Sequence, residues 1–138
     1  VKSCTKEETI EIYEVREALE IYVASKSAKG IKIDLPLMKR SYDDMLQAAQ
    51  NEDLKSFVAH DQAFHSALLK TNNNTLLTAI WTQQYTRSSV QTVISAYGEN
   101  LKDVVLMHLP IIEAIENNNH EALIVAIKAH YKRIIENL

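Results

Sequence analysis

Apolar residues recur with the 3.6-residue period of an α-helix along most of this chain. In the first periodic segment, Ile12, Val15 and Leu19 share one face, and Tyr22 and Val23 continue the stripe into the next turn. Such a stripe is typical of an amphipathic helix that buries one side against a core. Because later segments show the same spacing, the pattern predicts an all-α chain.

Polar residues, glycine and proline mark the boundaries of the predicted helices. Gly30 and Gly98 each follow a periodic segment, where glycine favours the end of a helix. Asp34 is a predicted N-cap with Pro36 in the first turn after it, and Asn51 is a predicted N-cap of the third helix. The predicted helices run from Lys6 to about Ala28, from Asp34 to about Gln50, from Asn51 to Leu69, from Thr75 to about Tyr97, from between Leu106 and Leu109 to about Glu116, and from Glu121 to Asn137.

Pro110 falls inside the fifth periodic segment. Proline in the middle of a helix costs about 3 kcal/mol, because it removes a backbone hydrogen bond and clashes with the preceding turn. A helix that starts between Leu106 and Leu109 avoids this cost, since proline is tolerated in a first turn. Residues Glu99 to Val105 then form an irregular or separately helical link. With its short connections, the chain is predicted to be an antiparallel bundle of about six helices.

Composition agrees with one globular helical domain. The chain has 138 residues, of which only two are Gly and two are Pro, too few for a hairpin-rich sheet or a glycine-rich phosphate loop. The net charge of −3 disfavours a freestanding nucleic-acid binder. The single cysteine, Cys4, fits a reducing compartment, and no apolar run reaches the roughly 18 residues of a membrane span. A cytoplasmic domain without a membrane segment is expected.

Four metal-ligating residues lie on helix faces that should be apolar. Asp61 and His65 are four positions apart, and therefore lie on one face of the third helix. His108 shares a face with three isoleucines, and His130 lies on the apolar face of the last helix. Burying these groups unpaired would cost several kcal/mol in total. Convergence on zinc or a similar divalent cation removes that cost, and mutual hydrogen bonding is the alternative.

Several short motifs also follow one another in a specific order. They are Val15-Arg16-Glu17-Ala18-Leu19-Glu20, Asp61-Gln62-Ala63-Phe64-His65, Asn74 with Leu76 and Leu77, His108 with Ile111, Glu113, Ala114 and Ile115, and His130, which follows His108 by 22 positions. Together they resemble the FCD effector-binding domain, the C-terminal part of FadR-type regulators in the GntR superfamily. The resemblance covers essentially the whole chain.

This resemblance implies a helical bundle that encloses an effector cavity. A divalent metal, zinc foremost and nickel or manganese as other candidates, would be held by Asp61, His65, His108 and His130. The implied effector is a small organic acid, such as a hydroxy acid, dicarboxylate or sugar acid, that completes the coordination. Residues 1–138 would form the effector-binding and dimerisation domain. The N-terminal winged helix-turn-helix, through which such a regulator contacts DNA, does not precede it, so the chain is a fragment or an isolated domain.

Two arginines are candidate effector contacts. Arg16 occupies the position of the family's arginine in the first helix and borders the apolar stripe, so it can clamp a carboxylate. The alternative for Arg16 is a surface ion pair with Glu20, four positions later. Arg87 lies in the middle of the fourth helix. The aromatic residues that could line a pocket, unless they are simply core, are Trp81, Tyr85 and Tyr97.

Three functions compete at this point. The leading interpretation is a sensory domain, in which a metal and a small acid shift the conformation or the dimer geometry of the bundle. Ile10 and Ile21 lie off the main stripe of the first helix and suggest a homodimer. The second function is a metal-dependent hydrolase, which is disfavoured because no general base or nucleophile arrangement stands out. The third is a dimerisation bundle that binds no ligand.

Overall fold

The computed structural model describes residues 4–29, 32–97 and 100–138, and the side chains of these residues except 28–29 and 89–97. The described part is all-helical and contains no strand, as predicted. None of its helices is long and apolar enough to cross a membrane. The helices are α1 (Lys6–Ser25), extended by a 3-10 helix (Lys26–Lys29), α2 (Leu35–Gln50), α3 (Leu54–Leu69), α4 (Thr75–Tyr97), the short α5 (Leu101–Leu106), α6 (Leu109–Glu116) and α7 (His120–Glu136).

Side-chain caps begin several helices. The Asp34 carboxylate accepts a hydrogen bond from the Leu37 backbone N–H at 3.1 Å, which confirms the predicted start of α2. The predicted cap of α3 is wrong by two residues. Asn51 is the C-cap of α2, and Asp53 caps α3 by accepting from the Ser56 backbone N–H. Asn51 serves the end of α2 through its backbone N–H, so its polar side chain did not identify the residue that starts α3. Gly30 and Gly98, the predicted helix stops, lie outside the described residues.

The helical structure is interrupted between α5 and α6, because proline disfavours one continuous helix there. Pro110 lies in the first turn of α6, and α5 is the separately helical link that was the alternative to an irregular one. His108 occupies the N-cap position of α6 but makes no side-chain capping bond there. The break therefore leaves the His108 side chain free to be buried in the core, where it is fully enclosed.

The helices pack as an antiparallel bundle in which α1 lies between α4 and α7. The start of α1 lies near the end of α4, since Glu8 is 4.0 Å from Arg87, and Glu20 contacts Trp81 farther along. α2 packs on α3, and α6 packs on α7. The largest apolar side chains buried in the interior are Met38, Met45, Phe57, Phe64, Leu68, Leu69, Trp81, Tyr85, Ile111, Leu123 and Tyr131.

The apolar residues that α1 leaves exposed differ from those predicted. Ile21 packs against the main core and Ile10 is half-buried, so neither forms a free apolar surface. Val15 and Tyr22 are instead 44% and 46% exposed. The predicted stripe placed Val15 inside, but α1 is oriented so that Arg16 faces the interior in its place. A polar side chain on the buried face must be stabilised by its neighbours in the core.

Candidate metal centre and ligand site

The four predicted metal ligands meet in the interior. Asp61 and His65 come from α3, His108 from the break between α5 and α6, and His130 from α7. One ring nitrogen from each of the three histidines lies within 4.8 Å of the other two. Asp61 Oδ1 lies 2.8 Å from His108 Nε2 and 3.5 Å from His65 Nε2. All four side chains are buried, so water cannot satisfy them. The tertiary structure therefore assembles three histidine nitrogens that could hold a metal ion, with Asp61 beside two of them.

Each histidine ring is anchored through its Nδ1 atom. An oxygen that accepts a hydrogen bond requires N–H at Nδ1, and a neutral imidazole then carries its lone pair at Nε2. A histidine that binds a metal through one ring nitrogen usually donates the N–H of the other nitrogen to an oxygen in this way. The acceptors are Glu20 Oε1 at 2.8 Å from His65, Val104 O at 2.9 Å from His108, and Met107 O at 3.4 Å from His130.

The charges of the cluster follow from its burial and its short contacts. Burial raises the pKa of Asp61, but His65 and His108 beside it hold that pKa well below its ordinary value. Burial lowers the pKa of His65, but the carboxylates of Glu20 and Asp61 raise it to about 9. Burial and the two neighbouring histidines lower the pKa of His130 well below its ordinary value. At neutral pH the cluster thus holds an ionised Asp61 and a neutral His130.

A buried carboxylate that the sequence did not single out completes the cluster. Glu20 is fully buried, and its Oε1 accepts from His65 Nδ1–H. Its Oε2 accepts from Trp81 Nε1–H at 3.0 Å and from the Tyr131 hydroxyl. The proposed surface ion pair between Glu20 and Arg16 is wrong, because both side chains are buried. Their spacing with Tyr13, three and seven positions after it, was the available signal for a shared inner face.

Arg16 lies in the interior among aromatic rings. Its guanidinium carbon is 4.4 Å from the centroid of Tyr13, 4.6 Å from that of Tyr85 and 5.2 Å from that of Trp81. Burial disfavours its charge, but Tyr13 and Glu20 raise the pKa of Arg16 above its ordinary value, so it stays a cation. Its Nε and Nη1 atoms are buried and have no hydrogen-bond partner. Unpaired buried donors are costly, and an anionic ligand that accepts from the guanidinium would reduce this cost.

Tyr85 connects the arginine to the metal-ligand cluster. Its ring packs under the Arg16 guanidinium, and its hydroxyl donates to Asp61 Oδ2 at 2.7 Å. Trp81 makes a similar link, since its ring lies near Arg16 and its indole N–H binds Glu20. Both aromatic residues thus belong to the site and to the core. The side chain of Tyr97, the third aromatic candidate, lies outside the described residues.

Arg87 is the one predicted site residue that does not join this cluster. Its side chain is half exposed. Its Nη1 donates to Gln84 Oε1 at 3.2 Å, and its Nη2 lies 4.0 Å from Glu8 Oε2. Trp81 and Tyr85 of α4 face the interior. Arg87 lies six positions after Trp81, and therefore on the outer side of the helix. The structure therefore offers Arg16, and not Arg87, to a ligand in the interior.

Comparison with known proteins relates the chain to one family. The chain matches the FCD domain family over residues 11–133. It is 23% identical over 132 residues to a probable D-xylose utilization operon transcriptional repressor of Paenarthrobacter nicotinovorans. That alignment covers 94% of this chain and 58% of the relative, so the chain spans little more than half of the relative's length. No solved structure matches the chain significantly.

Proposed function

Because this chain belongs to the FCD domain family, we propose that it senses a small carboxylate through a bound divalent metal and thereby regulates transcription. The name of the relative, a transcriptional repressor, supports the regulatory role. DNA binding would belong to a winged helix-turn-helix in the part of a longer regulator that this chain does not span. As in such a regulator, the domain would act in the cytoplasm.

One observation carries the metal part of the proposal. Three buried histidines are anchored through Nδ1 and lie close together, and the Nε2 atoms of His65 and His108 face an oxygen of Asp61. His108 has an acceptor at each nitrogen, Val104 O at Nδ1 and Asp61 Oδ1 at Nε2. A cation between His108 Nε2 and Asp61 resolves the contact between lone pairs. Three imidazoles and one carboxylate suit zinc first, and also nickel or manganese.

Arg16 supports the carboxylate part. A divalent metal bound to one carboxylate and three neutral imidazoles keeps a net positive charge and attracts an anion. The two unpaired donors of Arg16 provide a second anchor in the same interior, joined to the cluster through Trp81 and Tyr85. A hydroxy acid, a dicarboxylate or a sugar acid can bind both the metal and the guanidinium. Sugar acids deserve inclusion because the relative's name concerns D-xylose utilization.

The site does not favour the hydrolase alternative. Asp61 accepts from Tyr85 and lies 2.8 Å from His108 Nε2, and Glu20 accepts from three donors, so each buried carboxylate of the site is already engaged. A general base needs a free acceptor near the attacking water. A bundle that binds no ligand is disfavoured by the unpaired nitrogens of Arg16. The regulatory family and this geometry support a ligand sensor without catalysis.

Metal analysis tests the proposal. We expect about one divalent metal per chain, either as purified or after zinc reconstitution, by native mass spectrometry and elemental analysis. His65→Ala combined with His130→Ala should abolish binding, because two of four ligands are lost. His60→Ala is the matched control, since His60 is partly exposed and lies outside the cluster. A wild-type protein that stays metal-free after reconstitution would show that the site assignment is wrong.

We also propose that the domain forms a homodimer through a face of α1 and α4. Glu8, Val15 and Tyr22 are spaced by seven residues on one side of α1. Glu8 meets Arg87 of α4, and Ile80 lies seven positions before Arg87, so the exposed apolar residues of the two helices flank the same groove. These residues, with their exposed fractions, are Val15 (44%), Tyr22 (46%), Leu76 (69%) and Ile80 (37%).

Charge favours a second copy as the occupant of this face. The exposed side of α1 carries Glu7, Glu11 and Glu14 in its first half, and the exposed Lys26 directly follows its last residue. A two-fold axis near the middle of α1 would pair two such helices in opposite directions and bring the glutamates of each near Lys26 of the other. The apolar residues then meet at the centre of the interface.

A further inference from the structure

Glu20 is held by three helices other than its own. His65 of α3, Trp81 of α4 and Tyr131 of α7 all donate to its two oxygens, and the side chain has no exposed surface. The indole N–H can only donate, so a group that accepts is required at this point. The carboxylate is thus fixed in place independently of any ligand in the site.

The position of Glu20 decides which nitrogen of His65 faces the cluster. Glu20 Oε1 at 2.8 Å from Nδ1 requires N–H there, so Nε2, which lies 3.5 Å from Asp61, is the nitrogen that a metal would bind in place of a proton. His108 and His130 obtain the same orientation from backbone carbonyl groups. His65 is therefore the histidine of the cluster whose orientation depends on a side chain, and a charged acceptor also makes an imidazole a stronger ligand.

We propose that Glu20 is the positioning residue of the metal centre, and that it prepares His65 to bind through Nε2. The donors from Trp81 and Tyr131 keep the Glu20 carboxylate in this orientation. This inference rests on the proposed function, because it concerns the same metal. Glu20 itself need not touch the metal.

Glu20→Gln tests the proposal with the least change in shape. A glutamine has one acceptor oxygen, and Trp81 and Tyr131 both require it. Its NH2 group then faces His65 Nδ1 and favours the wrong tautomer. We expect zinc affinity, measured by competition with a chelating dye, to fall by about 10- to 100-fold. Glu17→Gln is the matched control, because Glu17 lies on the same helix, partly exposed and near Lys128, outside the cluster. It should bind zinc like the wild type.

A spectroscopic signature separates positioning from a general structural effect. In zinc-loaded wild-type protein, nitrogen-15 NMR should show His65 with N–H at Nδ1 and the metal on Nε2. In zinc-loaded Glu20→Gln, the Nδ1–H signal of His65 should shift or disappear while those of His108 and His130 remain. Glu20→Asp retains the charge but is shorter, so it should recover only part of the affinity.

The outcomes are distinguishable. Equal zinc affinity and equal His65 signals in wild type and a folded Glu20→Gln would overturn the role of Glu20 and leave the proposed function intact. If Glu20→Gln does not fold, the wild-type spectrum decides, since metal bound at Nδ1 of His65 would contradict the proposal. A wild-type protein without zinc affinity would instead contradict the proposed function itself, and the inference with it.

Discussion

At the scale of single residues, the carboxylates that orient His65 also set its charge. The proton that His65 holds in the metal-free protein occupies the lone pair that a metal requires, so proton and metal compete for one nitrogen. Asp61 and Glu20 stabilise either cation in that place. The cluster would therefore exchange a proton for a divalent cation when the metal binds, and this exchange has a measurable dependence on pH.

The metal-free domain should lose stability as pH rises from 7 to 9. The pKa of His65 is about 9 in the folded protein and 6.5 ordinarily, so its contribution is fully present below about pH 6.5. That contribution is lost as pH rises through about 9. Thermal unfolding with a chelator should show the decline, and zinc-loaded protein should not, because zinc replaces the proton. His65→Gln should remove the decline. A metal-free midpoint that stays constant over this range would contradict the assignment.

Replacing Arg16 should separate the anion site from the metal site. A carboxylate at about 100 times its Kd stabilises the domain by about 2.7 kcal/mol, which a thermal shift assay detects. Arg16→Ala should abolish this shift for the hits of a screen that includes sugar acids, while zinc still binds. Arg87→Ala is the control, since Arg87 is half exposed. D-xylose, which lacks a carboxylate, should give a smaller shift than its acid, D-xylonate. Hits that survive Arg16→Ala unchanged would exclude Arg16 as the anchor.

At the scale of elements, helix ends place the ligands. His108 is available to the core because Pro110 starts α6 directly after it. His130 is placed by α7, whose N-cap is Asn119. The Asn119 side chain accepts from the Ala122 backbone N–H at 3.0 Å. This cap thus fixes where α7 starts, and with it the position of His130 along the helix.

Asn119→Ala should destabilise the domain by about 1 kcal/mol, the usual cost of losing an N-cap. Asn117→Ala is the comparison, because Asn117 is an exposed residue at the end of α6 whose backbone makes the C-cap bond. Chemical denaturation of both variants in zinc-loaded form measures the difference. An equal effect of the two substitutions would mean that the cap of α7 contributes nothing.

At the scale of the whole molecule, the α1–α4 face is the proposed homodimer interface. Ile80→Asp places a charge in the centre of the proposed interface and should weaken the dimer by at least about tenfold. Val125→Asp is the control, since Val125 is 66% exposed on α7, away from this face. Sedimentation velocity over a range of concentrations measures both. A wild-type protein that stays monomeric at high concentration would contradict the homodimer, and an equal effect of both variants would contradict the interface.

The sequence by itself determined the helices and most of the candidate metal site. Periodicity and caps are local, so they located the helices, the break at Pro110 and the start of α2, although Asp53 rather than Asn51 caps α3. Asp61 and His65 were recognisable because polar ligands on an apolar face stand out in any helix. The order of the motifs also indicated the FCD family, which the family match over residues 11–133 confirms.

Only the tertiary structure decided the second layer of the site. Glu20 and Arg16 look like an ordinary exposed helical pair until α3, α4 and α7 pack around them and remove water. Arg87 has the same chemistry as Arg16 but faces outward. The energy of a charged side chain depends on what neighbouring helices place beside it, and sequence spacing within one helix does not contain that information.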